Sequence, residues 1–377
     1  MKKERIYLSP PDLTGEEYRH ISDILDSNWI APVGPHLGDF EAQIAEFTGF
    51  RYVLAVNSGT SAIHLALLCH GVQAGDLVIS STLTFCGAVN PILYLGAKPI
   101  LVDSSFDDWN IDITLLEKSI KGAAKKPKAI LITHLFGMPA NFEAIETIGR
   151  KYDIPVVHDM AEALGCRTNK NKPGRVSEAA ILSFNGNKLI TTSGGGALLT
   201  NNPDHYKKGL LLSTQAKTHG TSYNHAELGY NYRMSNVLAG LGQGQFTAID
   251  AKIAKKRNIF ERYKEGLGEV EGVIFQQESE GLFSDRWLTA VYFDPEVFPS
   301  TLVPSVIAEL DKNNIESRHI WKPMHMQPLY KDYPVFGGGV SQSLFEYGLC
   351  LPSGTGLANH DQERIIDIIL NTLRAYQ

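Results

Sequence analysis

Pro155-Val156-Val157-His158-Asp159-Met160-Ala161-Glu162 is the stretch whose reading decides the fold. A short apolar run, 155–158, ends on the carboxylate Asp159, as a buried strand does where it hands over to a loop. Similar β-branched runs stand at 52–56, 77–80, 99–102, 129–133 and 179–184. Most of the segments between them carry helical spacing, for example 61–68, 114–120 and 142–151. Alternating strand and helix implies a mostly parallel sheet covered on both faces. Ligands of such sheets lie beyond the carboxyl ends of the strands, which puts Asp159 at a binding edge.

Working outward, a helix is expected to begin at Thr14. Thr14 and Glu17 form a capping box, and Tyr18, Ile21, Ile24 and Leu25 follow at helical spacing. Two prolines and a glycine within 27–35 break it into a loop. A long, weakly interrupted helical stretch runs from Asn236 to about Leu267. The chain closes in a helix capped by Asn359, with Gln362 three residues on and Ile365, Ile366, Ile369, Leu370 and Leu373 on one face. The expected division is a large α/β domain over residues 1–249 and a smaller domain over 250–377.

A chain of 377 residues, 43% hydrophobic and 20% charged, has ample material for a large core. Its net charge of −6 speaks against a nucleic-acid surface but not against a small anionic substrate. Cys69, Cys86, Cys166 and Cys350 form no CxxC pair or zinc knuckle, so no metal is expected and a reducing compartment fits. No apolar h-region follows the charged Met1–Arg5 stretch and no run reaches the ~20 apolar residues of a membrane span. The expectation is a soluble cytoplasmic protein with no membrane or nucleic-acid partner.

Four motifs carry chemistry. Asn57-Ser58-Gly59-Thr60-Ser61 follows one strand and opens a helix, where backbone N–H groups and hydroxyls can gather around a phosphate. The alternative is a plain N-cap by Ser58 or Thr60. Asp159 needs a cationic partner or several donors if it is buried. The protonated ring nitrogen of pyridoxal phosphate would serve, and so would a helix N-terminus or a metal. Lys188, in Ser183-Phe184-Asn185-Gly186-Asn187-Lys188, sits in a loop among small and neutral residues, where a lysine can become nucleophilic or remain an ordinary surface lysine. Phe85 follows the strand 77–80 and can stack on a flat ring or fill core. All four follow expected parallel strands, so they point to one edge of the sheet.

With those residues in place the sequence resembles the DegT/StrS family of sugar-nucleotide aminotransferases, a branch of fold-type I pyridoxal-phosphate enzymes. The motifs are Trp29-Ile30-Ala31 with Gly34, Asn57-Ser58-Gly59-Thr60, Thr84-Phe85, Asp159-Met160-Ala161-Glu162-Ala163-Leu164-Gly165, Ser183 to Lys188, Gly229-Tyr230-Asn231-Tyr232-Arg233-Met234 and Leu351-Pro352-Ser353-Gly354. The resemblance implies a large, mostly parallel seven-stranded sheet domain and a smaller α+β C-terminal domain. It implies pyridoxal phosphate as cofactor, Lys188 as the Schiff-base lysine and Asp159 as the partner of the ring nitrogen. Gly59, Thr60 and Ser183 would contact the phosphate, Phe85 would stack on the ring, and Glu162 would face its hydroxyl side. Asn231 matches an asparagine that reaches the phosphate of the neighbouring subunit, which implies a homodimer with shared active sites. His158 and Met160 depart from the family pattern, where an acidic residue and alanine are common. Lys188 speaks against the relatives that remove a sugar hydroxyl, which carry histidine in its place.

The Ser183 to Lys188 wording, Thr191 to Gly196 and Arg318-His319-Ile320-Trp321-Lys322-Pro323-Met324-His325 look like the subgroup acting on UDP-4-keto-6-deoxy-N-acetylglucosamine, with L-glutamate as donor. Neither proposed phosphate motif contains arginine, so the helix start at Thr60 and the hydroxyls would stabilise the phosphate dianion. Trp29, Ile30, Ala31, Trp321, Lys322 and His325 are the candidates for nucleotide or sugar, with domain-closing core as the alternative reading. Arg233 suits a substrate anion or a structural ion pair. The rivals are a GDP- or dTDP-keto-sugar enzyme, a cofactor-binding regulator without turnover, and a plain nucleotide-binding α/β protein.

Overall fold

The computed structural model describes residues 4–218 and 222–376. Met1, Lys2 and Lys3 of the charged N-terminal stretch lie outside the described residues.

The central sheet has eight strands in the order Tyr52–Val56, Gly196–Thr200, Ala179–Ser183, Val156–Asp159, Ala129–Thr133, Leu77–Ser81, Lys98–Val102 and Val335–Phe336. Gly196–Thr200 runs antiparallel to both neighbours, and all the other pairs are parallel. Ala129–Thr133 is buried at every residue because helices cover both faces, which is why these strands read as apolar runs rather than alternations. Seven strands form the expected sheet, and the eighth is a two-residue piece from the C-terminal third.

Gly196–Thr200 gives no strand signal at its start, where three glycines stand in a row. The reason for Gly196 is steric. A Cβ there would lie 2.4 Å from the Gly59 nitrogen, so the strand can pass under the start of the helix Gly59–Cys69 only with glycine.

The Thr14 capping box forms in altered shape. The helix is Glu16–Ser27; the Glu17 carboxylate accepts from the amides of Thr14 and Gly15, while Thr14 Oγ1 accepts from Glu16 N. Only part of the expected apolar stripe faces the core: Ile24 is buried and Ile21 half-buried. Tyr18 and Leu25 are 74% and 56% exposed, whereas Glu17, His20 and Ile24 are buried. Glu17 turns inward because Gln245 Nε2, on the helix Asn236–Phe246, also donates to it. The long helical stretch is two helices, Asn236–Phe246 and Ile249–Leu267. The last helix, Asn359–Arg374, has Ala358 at its N-cap and no side-chain cap. Gln362 instead donates to the Ile259 carbonyl at 2.6 Å, and Ile365, Ile369 and Leu373 are buried as expected.

A second, antiparallel sheet orders Arg318–His319, Gly348–Leu351, Thr289–Phe293 and Val273–Phe275. With the helices Ile249–Leu267, Leu302–Lys312 and Asn359–Arg374 it encloses its own apolar core. The two units are tied together. Asp103, just past the strand Lys98–Val102, accepts from the amides of Gly338, Val340 and Ser341 and so caps the helix Gly339–Tyr347.

Candidate active site

A cavity of about 830 Å³ opens at the carboxyl ends of the parallel strands. Its floor comes from strand ends: Asp159 closes Val156–Asp159 and Ser183 closes Ala179–Ser183. One wall is the start of Gly59–Cys69. Ser58 is the N-cap there, its Oγ accepting from Ser61 N at 3.0 Å, which leaves the Thr60 side chain free of capping duty. The helix turns its start, and with it its positive dipole end, to the cavity.

Lys188 enters from the loop after Ala179–Ser183. Its Nζ lies 3.1 Å from Glu162 Oε1 and 4.2 Å from the centre of the Trp287 ring. Trp287 is buried, and its Nε1 donates to the Asn187 carbonyl at 2.7 Å. The amine is thus held between a carboxylate and an aromatic face.

Two buried carboxylates share this space with one lysine. Asp159 is buried and, among the described residues, its carboxylate accepts only from Ala161 N, at 3.1 Å; burial pushes its carboxyl up to about 6, against the pull of that amide and of Lys188. Burial likewise pushes Glu162 up to about 7, opposed by Lys188 and by the Phe136 amide at 2.9 Å. A carboxylate this deep with so few donors fits a cationic N–H from a bound group.

Gly59, Thr60, Phe85, Asp159, Glu162, Ser183, Lys188 and Trp321 therefore line one cavity. Phe85 is 60% exposed, with its ring 5.7 Å from that of Trp321. The other candidates stand outside this lining. Trp29 and Ile30 are 46% and 56% exposed, and their loop is tied down through Asn236, which bonds the carbonyls of Trp29 and Ala31. Asn231 is exposed and accepts from Gln215 Nε2 at 2.9 Å, while its carbonyl accepts from the lining residue Asn57. Lys322 points to solvent. His325 Nδ1 is bonded to Thr82 Oγ1 at 2.8 Å, which fixes its loop to the end of Leu77–Ser81. Arg233 forms the ion pair: both guanidinium ends meet Glu41, and one also donates to the Ala55 carbonyl.

Sequence reasoning missed Trp287, Glu316 and the Leu8–Pro11 segment, all of which line the cavity. None follows a strand of the large sheet. A buried tryptophan beside the polar run Ser284-Asp285-Arg286 was the one available signal.

A profile of the DegT/DnrJ/EryC1/StrS aminotransferase family matches residues 11–370. The chain belongs to this family. It is a pyridoxal-phosphate-dependent sugar aminotransferase of fold-type I. Bacillus subtilis (strain 168) EpsN, described as a pyridoxal phosphate-dependent aminotransferase, is 41% identical over 375 residues, which cover 98% of this chain and 96% of EpsN. The GDP-perosamine synthase of Caulobacter vibrioides is 32% identical, with 96% of each chain covered. Among solved structures, the PLP form of Streptococcus pneumoniae Spr1654, described as a sugar aminotransferase, superposes with a TM-score of 0.91 at 26% identity, covering 99% of this chain and 100% of that one. Among the described residues of this aminotransferase no helix is long and apolar enough to cross a membrane.

Proposed function

We propose that this aminotransferase moves the amino group of L-glutamate onto C4 of UDP-4-keto-6-deoxy-N-acetylglucosamine, giving the UDP-4-amino-4,6-dideoxy sugar for bacterial glycan synthesis. The observation that carries the reading is the grouping of Lys188, Glu162 and the donor-poor Asp159 in one cavity beside the start of the helix Gly59–Cys69. Lys188 holds the cofactor's aldehyde and, once released, moves a proton at its Nζ. Glu162 Oε1 keeps that nitrogen turned into the cavity. Asp159 faces the pyridine nitrogen and, as an ionised neighbour, keeps it protonated. Gly59, Thr60 and Ser183 hold the phosphate, with the helix dipole offsetting its charge, and Phe85 covers the ring. Bound pyridoxal phosphate supplies the electron-withdrawing ring that takes up charge as the donor's α-carbon loses its proton.

The protein acts as a cytoplasmic homodimer in this reading. Asn231 reaches the partner's phosphate, and the loop carrying Trp29, Ile30 and Ala31 reaches the partner's sugar nucleotide. Their position outside the cavity of their own chain supports this, as do the exposed apolar side chains Tyr18, Leu25, Trp29, Ile30 and Val33. Trp321 and Arg318, which line the cavity, stand nearest the acceptor in this reading. Relatives named GDP-perosamine synthase favour a second reading, with a GDP-linked keto sugar as acceptor.

The test is the visible spectrum of the purified holoenzyme before and after glutamate, then with UDP-, GDP- and dTDP-4-keto-6-deoxy sugars in turn. The expected result is a visible band that glutamate bleaches, that the UDP-keto sugar restores, and that Lys188→Ala lacks. A band indifferent to glutamate overturns the donor assignment. Restoration by the GDP-keto sugar alone overturns the acceptor.

A further inference from the structure

Behind the Lys188 loop lies a second lysine that the reaction outlined above does not use. Lys256, on the helix Ile249–Leu267, is 2% exposed. Its ammonium donates to three groups: the Trp287 carbonyl at 2.9 Å, the Ser353 carbonyl at 2.7 Å and Ser9 Oγ at 3.2 Å. A buried cation is costly unless all its protons are satisfied, and these three acceptors meet that need. The acceptors come from three separate parts of the chain: the N-terminal segment, the loop before Thr289–Phe293, and the turn after Gly348–Leu351.

Two of those groups pass the constraint on to the same atom. Ser9 Oγ spends its proton on the Asn187 carbonyl at 3.0 Å, since Lys256 already donates to its oxygen. Trp287, held by its carbonyl to Lys256, donates Nε1 to that same Asn187 carbonyl at 2.7 Å. Asn187 immediately precedes Lys188, and the Trp287 ring is the face on which the Lys188 amine rests. Trp287 N is fixed in turn by Asp285 Oδ1 at 3.2 Å, while Asp285 Oδ2 accepts from Gly165 N. The Leu8 carbonyl accepts from Ser353 N at 2.7 Å, which ties the N-terminal segment to the same point.

We propose that Lys256 is a positioning residue: its ammonium sets Ser9 and Trp287, and through their shared grip on the Asn187 carbonyl it fixes the direction of the Lys188 amine. The inference rests on Lys188 being the amine that bears the cofactor. It adds that the aim of this amine is set from outside the site, by a side chain that touches neither cofactor nor substrate. Misaiming a reacting amine slows turnover with little effect on how much acceptor binds.

The test uses Lys256→Met and Ser9→Ala, each purified, loaded with pyridoxal phosphate and assayed for bound cofactor. Two quantities are read per bound cofactor: steady-state kcat and KM for the acceptor, and the visible circular dichroism of the bound ring, which reports the orientation in which Lys188 holds it. Lys256→Met is expected to lower kcat by roughly tenfold or more with KM within about twofold, and to change the visible dichroism. Ser9→Ala, which removes one hydroxyl and leaves the buried ammonium in place, is expected to change both in the same direction by less. A Lys256→Met enzyme with lowered melting temperature but wild-type kcat and dichroism overturns the proposal, because that is what a purely structural lysine gives. If Lys256→Met does not fold, Ser9→Ala decides alone, and wild-type values in both readings overturn it. A wild-type holoenzyme lacking the Lys188-dependent visible band is a different failure, that of the cofactor assignment itself.

Discussion

At the scale of single residues the active site is a problem in charge burial. Asp159 and Glu162 are both enclosed, and burial raises both carboxyls, to about 6 and about 7. Asp159→Asn keeps the shape and removes the charge, so amino transfer should fall by about 100-fold or more while the protein still folds. Stopped-flow bleaching of the visible band by glutamate measures this. Glu162 gives a pH prediction for the cofactor-free protein. A carboxyl raised from 4.5 to about 7 stabilises the fold at pH below the unfolded value, and that stability is lost as pH rises through about 7. Lys256 and Asp285 also titrate with burial, so the useful quantity is a difference. From pH 5 to 8 the wild-type apoprotein should lose on the order of 1–3 kcal/mol relative to Glu162→Gln. Urea unfolding at the two pH values checks it, and parallel curves for the two proteins would remove Glu162 from the account.

At the scale of elements, ion pairs and caps hold strands and loops in place. Arg233 and Glu41 are both about nine-tenths buried as side chains, and Glu41 also accepts from the Ala55 amide of the strand Tyr52–Val56. The pair fastens the segment containing Asn231 to the edge of the large sheet. Arg233→Met leaves Glu41 buried without its partner and should cost about 3–5 kcal/mol in urea unfolding. Adding Glu41→Gln should recover a substantial part of that loss, because it removes the stranded charge. An unchanged unfolding midpoint in the single variant would show that water replaces the guanidinium.

At the scale of the whole molecule, the two units meet around the cavity. Trp287, Glu316 and Trp321 from the C-terminal third join Asp159, Glu162 and Lys188 from the edge of the large sheet. The exposed apolar side chains around the first helix and the Trp29 loop carry the homodimer proposal. Substituting Glu for Ile30, which is 56% exposed, should weaken self-association about tenfold or more in sedimentation equilibrium. Activity per chain should fall with protein concentration in step, since each site takes residues from both chains in that reading. A monomeric wild-type protein of full activity would sink it.

The sequence alone determined the strand character of the six apolar runs from Tyr52 to Ser183 and of most helices between them, because buried parallel strands must be apolar throughout and their helices must cover them. It also determined the edge at which Gly59, Asp159, Ser183 and Lys188 meet, because each follows a strand running the same way. It placed the first helix and the buried Ile24 but misjudged part of its inward face, where one buried carboxylate with amide and glutamine donors, Glu17, turns in while Tyr18 and Leu25 turn out. It gave no strand at Gly196–Thr200, where close approach to the Gly59 helix demands residues with poor strand propensity. Trp287 beneath Lys188, Lys256 behind it and Asp103 capping a helix more than 200 residues away were decided only by tertiary structure. These are contacts between segments remote in the chain, and a sequence pattern reports which residues prefer burial, not which of them will be buried together.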